Sequence, residues 1–169
     1  MLPFLPYDTV ASNYQFFSSC NVNGVMEQGS YSSKQAGWQE LKNYVSAKLM
    51  WNCNLNTNKL IENFMANYYK DASPYMSQYF NEYRMKMLLN DKERKISPSI
   101  GGVYGNFSQP HECFSLREIK EWEGLIEKAI ESIQSYKEFN YAMYTKLYNR
   151  IIKEKVFFLN LLNFIFSKM

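Results

Sequence analysis

The chain has 169 residues, of which 17% are aromatic and 21% charged, with a formal net charge of +3. This composition marks a folded globular chain and not a disordered one, with enough length for one domain and a substantial core. It is too short for a complete (β/α) barrel of about 250 residues, and so small a basic excess argues against a nucleic-acid partner.

In chain order, Met1-Leu-Pro-Phe-Leu-Pro6 lacks the basic flank and long apolar run of a signal peptide. Leu2–Pro6 reads as the end of a strand. Asp8 or Thr9 can cap a helix running to about Cys20, with Val10, Tyr14 and Phe17 on one face. Val22–Glu27 then reads as a short buried strand, in which Gly24 suggests close backbone approach. It delivers the carboxylate Glu27 to its C-terminal tip, which is how (β/α) barrels place functional groups. A polar turn over Gly29–Lys34 leads into a helix from about Gln35 to Trp51, with Trp38, Leu41, Val45 and Leu49 spaced for one buried stripe.

The asparagine-rich segment Asn52–Asn58 favours turns and caps. Asn56 or Thr57 opens a helix carrying Leu60, Ile61, Phe64, Met65 and Tyr68. Asp71–Pro74 breaks it, Asp71 as a cap and Pro74 as a residue suited to the first turn of the next helix. That helix runs to about Leu89 with Met76, Tyr79, Phe80, Tyr83 and Met87 on its apolar side, and the two should pack as a hairpin. Asp91–Phe114 is the longest irregular stretch, of a length that marks function or mobility. Ser115-Leu-Arg-Glu118 fits a capping box, opening a helix with Trp122, Leu125, Ile126, Ala129, Ile130 and Ile133. A final helix from about Phe139 to Phe166 should fold back on it.

Most candidate chemistries fail on spacing. Cys20, Cys53 and Cys113 contain no CxxC pair, and His111 is the one histidine, so no metal site is expected. The cysteines read as free thiols, or at most one disulfide in an exported chain. His111 and Glu112 have no nucleophile placed with them, and Gly101-Gly102-Val-Tyr-Gly105 lacks the strand and basic residue of a P-loop. No catalytic residue and no cofactor is expected. The apolar run Val156–Phe166 falls short of the ~20 residues of a transmembrane span. The basic runs Arg84–Lys95 and Lys146–Lys155 are interrupted by Asp91, Glu93 and Glu154 and read as solvated helix ends. Glu118, Glu121 and Glu123, set among Arg117 and Lys120, read as a solvated face. Abundant tyrosine suits a carbohydrate-binding surface, but core and rim packing is its commoner use. Trp51, Trp122, Tyr68 and Tyr69 read as core on helical spacing.

Three segments carry a resemblance: Asn23-Gly-Val-Met-Glu-Gln-Gly-Ser-Tyr31, Leu41-Lys-Asn-Tyr-Val-Ser-Ala-Lys-Leu-Met-Trp-Asn52, and the Leu-Ile-Glu-Asn-Phe helix from Leu60. Together they resemble an uncharacterised bacterial family of large carbohydrate-active proteins bearing a domain of unknown function. That family is distantly similar to α-glucuronidases and β-hexosaminidase-type barrels. The resemblance spans Leu2 to Tyr136 and is specific between Asn23 and Tyr69. One departure is Trp51-Asn52-Cys53 where the family has Trp-Asn-Pro, a change that loosens a turn.

The resemblance implies a mainly α fold, with a helical subdomain preceded by the terminal β-strand/α-helix unit of an incomplete (β/α)8 barrel. Residues 1–52 would be the terminal portion of that barrel (helix, strand, helix), and residues 53–169 a helical C-terminal subdomain with the irregular loop near 91–114. Glycoside hydrolysis needs two carboxyl groups about 5–10 Å apart, and the family relationship places these on earlier barrel strands, leaving the chain inactive by itself. Glu27, Gln28 and Tyr31 would then contact sugar hydroxyls in an exported parent; alternatively Glu27 simply caps the following turn. The partners this implies are carbohydrate in the parent, and either the barrel portion or a second copy, with neither nucleic acid nor a transmembrane segment involved. The rival function is a helical interaction module presenting exposed aromatics to a partner protein.

Overall fold

The computed structural model describes residues 7–27, 37–94 and 114–166. Among them the chain is helical, in the order α1 (Tyr7–Ser19), α2 (Gln39–Trp51), α3 (Thr57–Tyr69), a 3-10 turn (Lys70–Ala72), α4 (Ser73–Arg94), α5 (Leu116–Ser132), α6 (Tyr136–Phe139) and α7 (Tyr141–Phe166). The mainly α expectation is met. Leu2–Pro6, Gly29–Lys34, residues 101–105, His111, Glu112 and Cys113 lie outside the described residues, as do Gln28 and Tyr31.

Local chemistry sets the helix ends. Helix α1 stops in a Schellman arrangement: Asn21 takes a left-handed φ of 54°, its N–H bonds the Ser18 carbonyl, and the Val22 N–H reaches back to Phe17. The Asn56 side chain caps α3 by accepting the Lys59 N–H at 3.0 Å. Ahead of it, the Asn52 side chain accepts the Asn54 N–H at 3.0 Å, and Gln15 donates to the Cys53 carbonyl at 3.1 Å. Where the resembled family has proline, this turn is thus closed by two side-chain amides. The box at α5 is complete, with Ser115 accepting the Glu118 N–H and Glu118 accepting the Ser115 N–H.

Helix α4 packs against α3 on one side and α5 on the other, while α7 lies across α3 and α5, and α2 joins α1 to α3. The predicted hairpin and the folding back of α7 are both present. Every apolar position predicted for α4 is buried, and so are Trp38, Leu41, Val45 and Leu49. The core is built mainly of aromatic rings. Trp38 lies 5.0 Å from Phe80 and 5.4 Å from Tyr79, and Tyr79 continues the chain to Trp122 at 6.0 Å. Much of the tyrosine content is spent on this packing, as offset and edge-on ring pairs favour.

Three expectations are corrected. Val22–Glu27 is extended but has no ladder partner among the described residues, and it is exposed throughout. A strand is stable only when a neighbour takes its alternate N–H and C=O groups, and no described segment does so. Gly24 stands in the open, since a Cβ there would meet nothing within 4 Å. Trp51 is 93% exposed: at 3.6 residues per turn it lies ~200° around α2 from Leu49 and so faces away from the stripe.

Some cations of the two basic runs bridge helices, while the side chains of residues 90–95 lie outside those described. Lys86 pairs with Glu118 at 2.7 Å, and Lys153 with Glu40 at 2.6 Å. Arg150 donates to the Tyr68 carbonyl at 2.6 Å, with its guanidinium 4.0 Å from the Tyr68 ring centre. These cations tie helices together. No described helix is long and apolar enough to cross a membrane.

Candidate substrate-contact site and a buried carboxylate

Glu27 ends the exposed stretch after α1, and its carboxylate accepts a hydrogen bond from the Tyr14 hydroxyl. Tyr14 is buried between α1 and α2 and is also hydrogen-bonded to Ser46, itself buried on α2. Burial foremost, then the bond to Glu27, pushes the Tyr14 phenol well above its ordinary range, so it stays a neutral donor. The Ser46–Tyr14–Glu27 chain thus fixes one end of a carboxylate on a segment without a ladder partner among the described residues. A carboxylate has about four acceptor positions, so one tethered by a single hydroxyl can still accept from others, as a polyol would offer. The Gly29–Lys34 turn, the alternative target of Glu27, and the expected companions Gln28 and Tyr31 fall outside the described residues.

Exposed apolar side chains share this end of the molecule. Gln15 of α1 is bonded to the turn that follows α2, which brings Phe16 toward the end of α2. Phe16, Met50 and Trp51 are exposed, as are Val22, Val25 and Met26, the last by 88%.

A second feature was not anticipated. Glu154 of α7 is only 3% exposed, and both its oxygens lie 3.2 Å from the backbone N–H of Trp38. Trp38 is itself unusual, being 1% exposed and left-handed, at φ 58° and ψ 23°, immediately before α2. So bulky a residue at positive φ is strained, and it is held by ring packing on three sides and by the carboxylate. The Tyr7 hydroxyl adds a bond of 3.4 Å to the Trp38 carbonyl. Burial raises the Glu154 carboxyl to about 8, Glu40 adding to the rise while the Trp38 N–H and Lys153 oppose it. No ion pair reaches Glu154 among the described residues. Among the described residues the Trp38 indole N–H and the Tyr79 hydroxyl, both buried, meet no hydrogen-bond partner.

Sequence reasoning treated Glu154 only as an interruption of a basic run. A sharper signal was present: Leu147, Ile151, Glu154 and Phe158 follow helical spacing, and the other three are fully buried. A glutamate on a core stripe must be neutral, paired or hydrogen-bonded.

Elsewhere, a groove of about 380 Å³ between α3 and α4 is floored by Ile61, Met65 and Phe80. Its Arg84 donates to Asn58 at 3.1 Å. Cys20 and Cys53 are free thiols, and no group of His, Cys, Asp and Glu able to hold a metal comes together among the described residues.

The model of a domain of unknown function, DUF4838, matches residues 1–81. That stretch holds α1 to α3, the start of α4, Glu27, Gln28, Tyr31 and Trp38, and includes all of Asn23–Tyr69, where the resemblance is most specific. Glu154 and the helices α5 to α7 lie beyond it. No curated protein and no solved structure matches the chain.

Proposed function

We propose that this chain is the C-terminal, helical part of a glycoside-hydrolase-like, carbohydrate-active protein and has no catalytic activity of its own. The observation that carries the reading is the exposed, extended segment Val22–Glu27, without a ladder partner among the described residues and ending in a carboxylate that Tyr14 orients. An exposed extended segment is a template for strand pairing, and an acid at its C-terminal tip is where barrel strands present functional groups. Glu27, with Gln28 and Tyr31, then contacts sugar hydroxyls, and the exposed Met26, Met50 and Trp51 are covered by the barrel.

The test is pairing. A polypeptide encoded directly upstream, co-expressed with this chain, should form a stable complex that binds sugar. Its formation should protect the amides of residues 22–27 from exchange. If the DNA upstream encodes nothing barrel-like, or if those amides stay unprotected in the complex, the reading fails.

A second reading is a helical interaction module that docks a partner protein through the same exposed apolar residues. It is favoured by Trp51, since an aromatic side chain held in solvent is a common anchor of interfaces. Under it, Trp51→Ser abolishes partner capture, whereas Glu27→Gln does not alter it.

A further inference from the structure

We infer that Glu154 is a pH-sensitive clasp that seats α7 on the amino end of α2, closed when its carboxyl group is uncharged and loosened when it ionises. Glu154 occupies a core position on the buried stripe of α7, one turn before Phe158, which lies 6.4 Å from the Tyr79 ring in edge-on contact. Among the described residues its acceptor atoms meet a single donor, the Trp38 N–H, with both distances 3.2 Å. One shared N–H leaves most of the acceptor capacity of a buried anion unfilled, a cost that protonation of the carboxyl group lowers.

The groups facing Glu154 are Tyr7 on α1, Glu40 on α2, Tyr68 and Tyr69 on α3, and Tyr79 on α4, with Lys153 beside it on α7. All four tyrosines are raised by burial and stay neutral. Lys153 is engaged by Glu40 at 2.6 Å and Lys155 lies 4.0 Å from Glu127, so both cations adjacent in sequence are shared with other acids. Arg150 is held on Tyr68.

The pH window follows from these groups. With α7 undocked, Glu154 meets water and ionises near the ordinary value of 4.5, whereas docked it holds its proton to about 8. The docked form binds the extra proton, so undocking becomes easier as pH rises from about 4.5 and levels off above about 8.

The experiment is amide exchange of the full chain between pH 5 and 9.5, corrected for intrinsic rates, read on peptides from α7 and from the start of α2. Opening of α7 should rise by up to about tenfold per pH unit and reach a plateau near pH 8, and Glu154→Gln should remove the rise. The deciding pair is Glu40→Gln and Lys153→Gln. Both break the same ion pair, so a purely structural role for it moves both variants alike. Acting through Glu154, Glu40→Gln lowers the plateau pH and Lys153→Gln raises it. A plateau that shifts in the same direction in both variants, or α7 exchange independent of pH in the parent chain, overturns the inference; the pair decides even if Glu154→Gln does not fold.

Discussion

Trp38 and Glu154, 116 positions apart, meet through a backbone N–H shared between two carboxylate oxygens. The contact joins the last long helix to the entrance of α2. It also holds a tryptophan in a left-handed conformation that few residues other than glycine adopt without strain.

Replacing Glu154 should separate its two roles. Glu154→Gln keeps an acceptor for the Trp38 N–H and removes the titration, so it should match the parent in urea at pH 5 and exceed it at pH 8.5. Glu154→Leu leaves the N–H buried without a partner and should cost about 1–3 kcal/mol at pH 5. The sign follows from the raised carboxyl: its stabilisation is complete below the unfolded value and is lost as pH climbs toward 8. If stability of the Gln variant falls with pH as steeply as that of the parent, another group is responsible.

The capping box gives a purely local prediction. Ser115→Ala removes the acceptor of the Glu118 N–H, lying 3.2 Å from it, and should cost about 1 kcal/mol in a urea melt. Ser115→Asp should recover most of the loss. Equal destabilisation by both would mean the hydroxyl acts through some other contact.

The two tryptophans that share a sequence expectation should behave oppositely. Trp122 is buried and donates to Glu82 at 3.0 Å, so Trp122→Ala should cost about 3–5 kcal/mol. Trp51→Ser should change stability by less than about 0.5 kcal/mol, while reducing any self-association seen by sedimentation. A large loss of stability in the serine variant would place Trp51 in a packed contact.

For the site, Glu27→Gln in the longer parent should weaken sugar binding several-fold, measured by calorimetry, with thermal stability nearly unchanged because Glu27 is exposed. Tyr14→Phe should weaken it too, by releasing the carboxylate. Unchanged affinity in both would return Glu27 to a structural role.

What sequence can reveal here divides along physical lines. The stripe Leu41, Val45, Leu49 and the run Met76 to Met87 were legible because burial imposes a helical period. Ser115 and Asn56 were legible because capping needs a particular side chain a few residues from its target. Glu154 was legible only as a position on a core stripe, for its partner is distant in sequence and an acid between two lysines resembles ordinary local charge balance. Trp51 was misjudged on residue type, although its angle around α2 points it to solvent. Val22–Glu27 has a strand's composition, but pairing belongs to the neighbour as much as to the segment.

The contrast between Trp51 and the other two tryptophans has a practical consequence. Trp38 and Trp122 are sealed in the aromatic core, while Trp51 stands in water, so their fluorescence separates by colour and by access to iodide. The quenchable, red-shifted part reports on whatever covers the end of α2, and the protected, blue-shifted part on the integrity of the fold. A binding partner for that surface can therefore be followed without a label, and told apart from unfolding in the same cuvette.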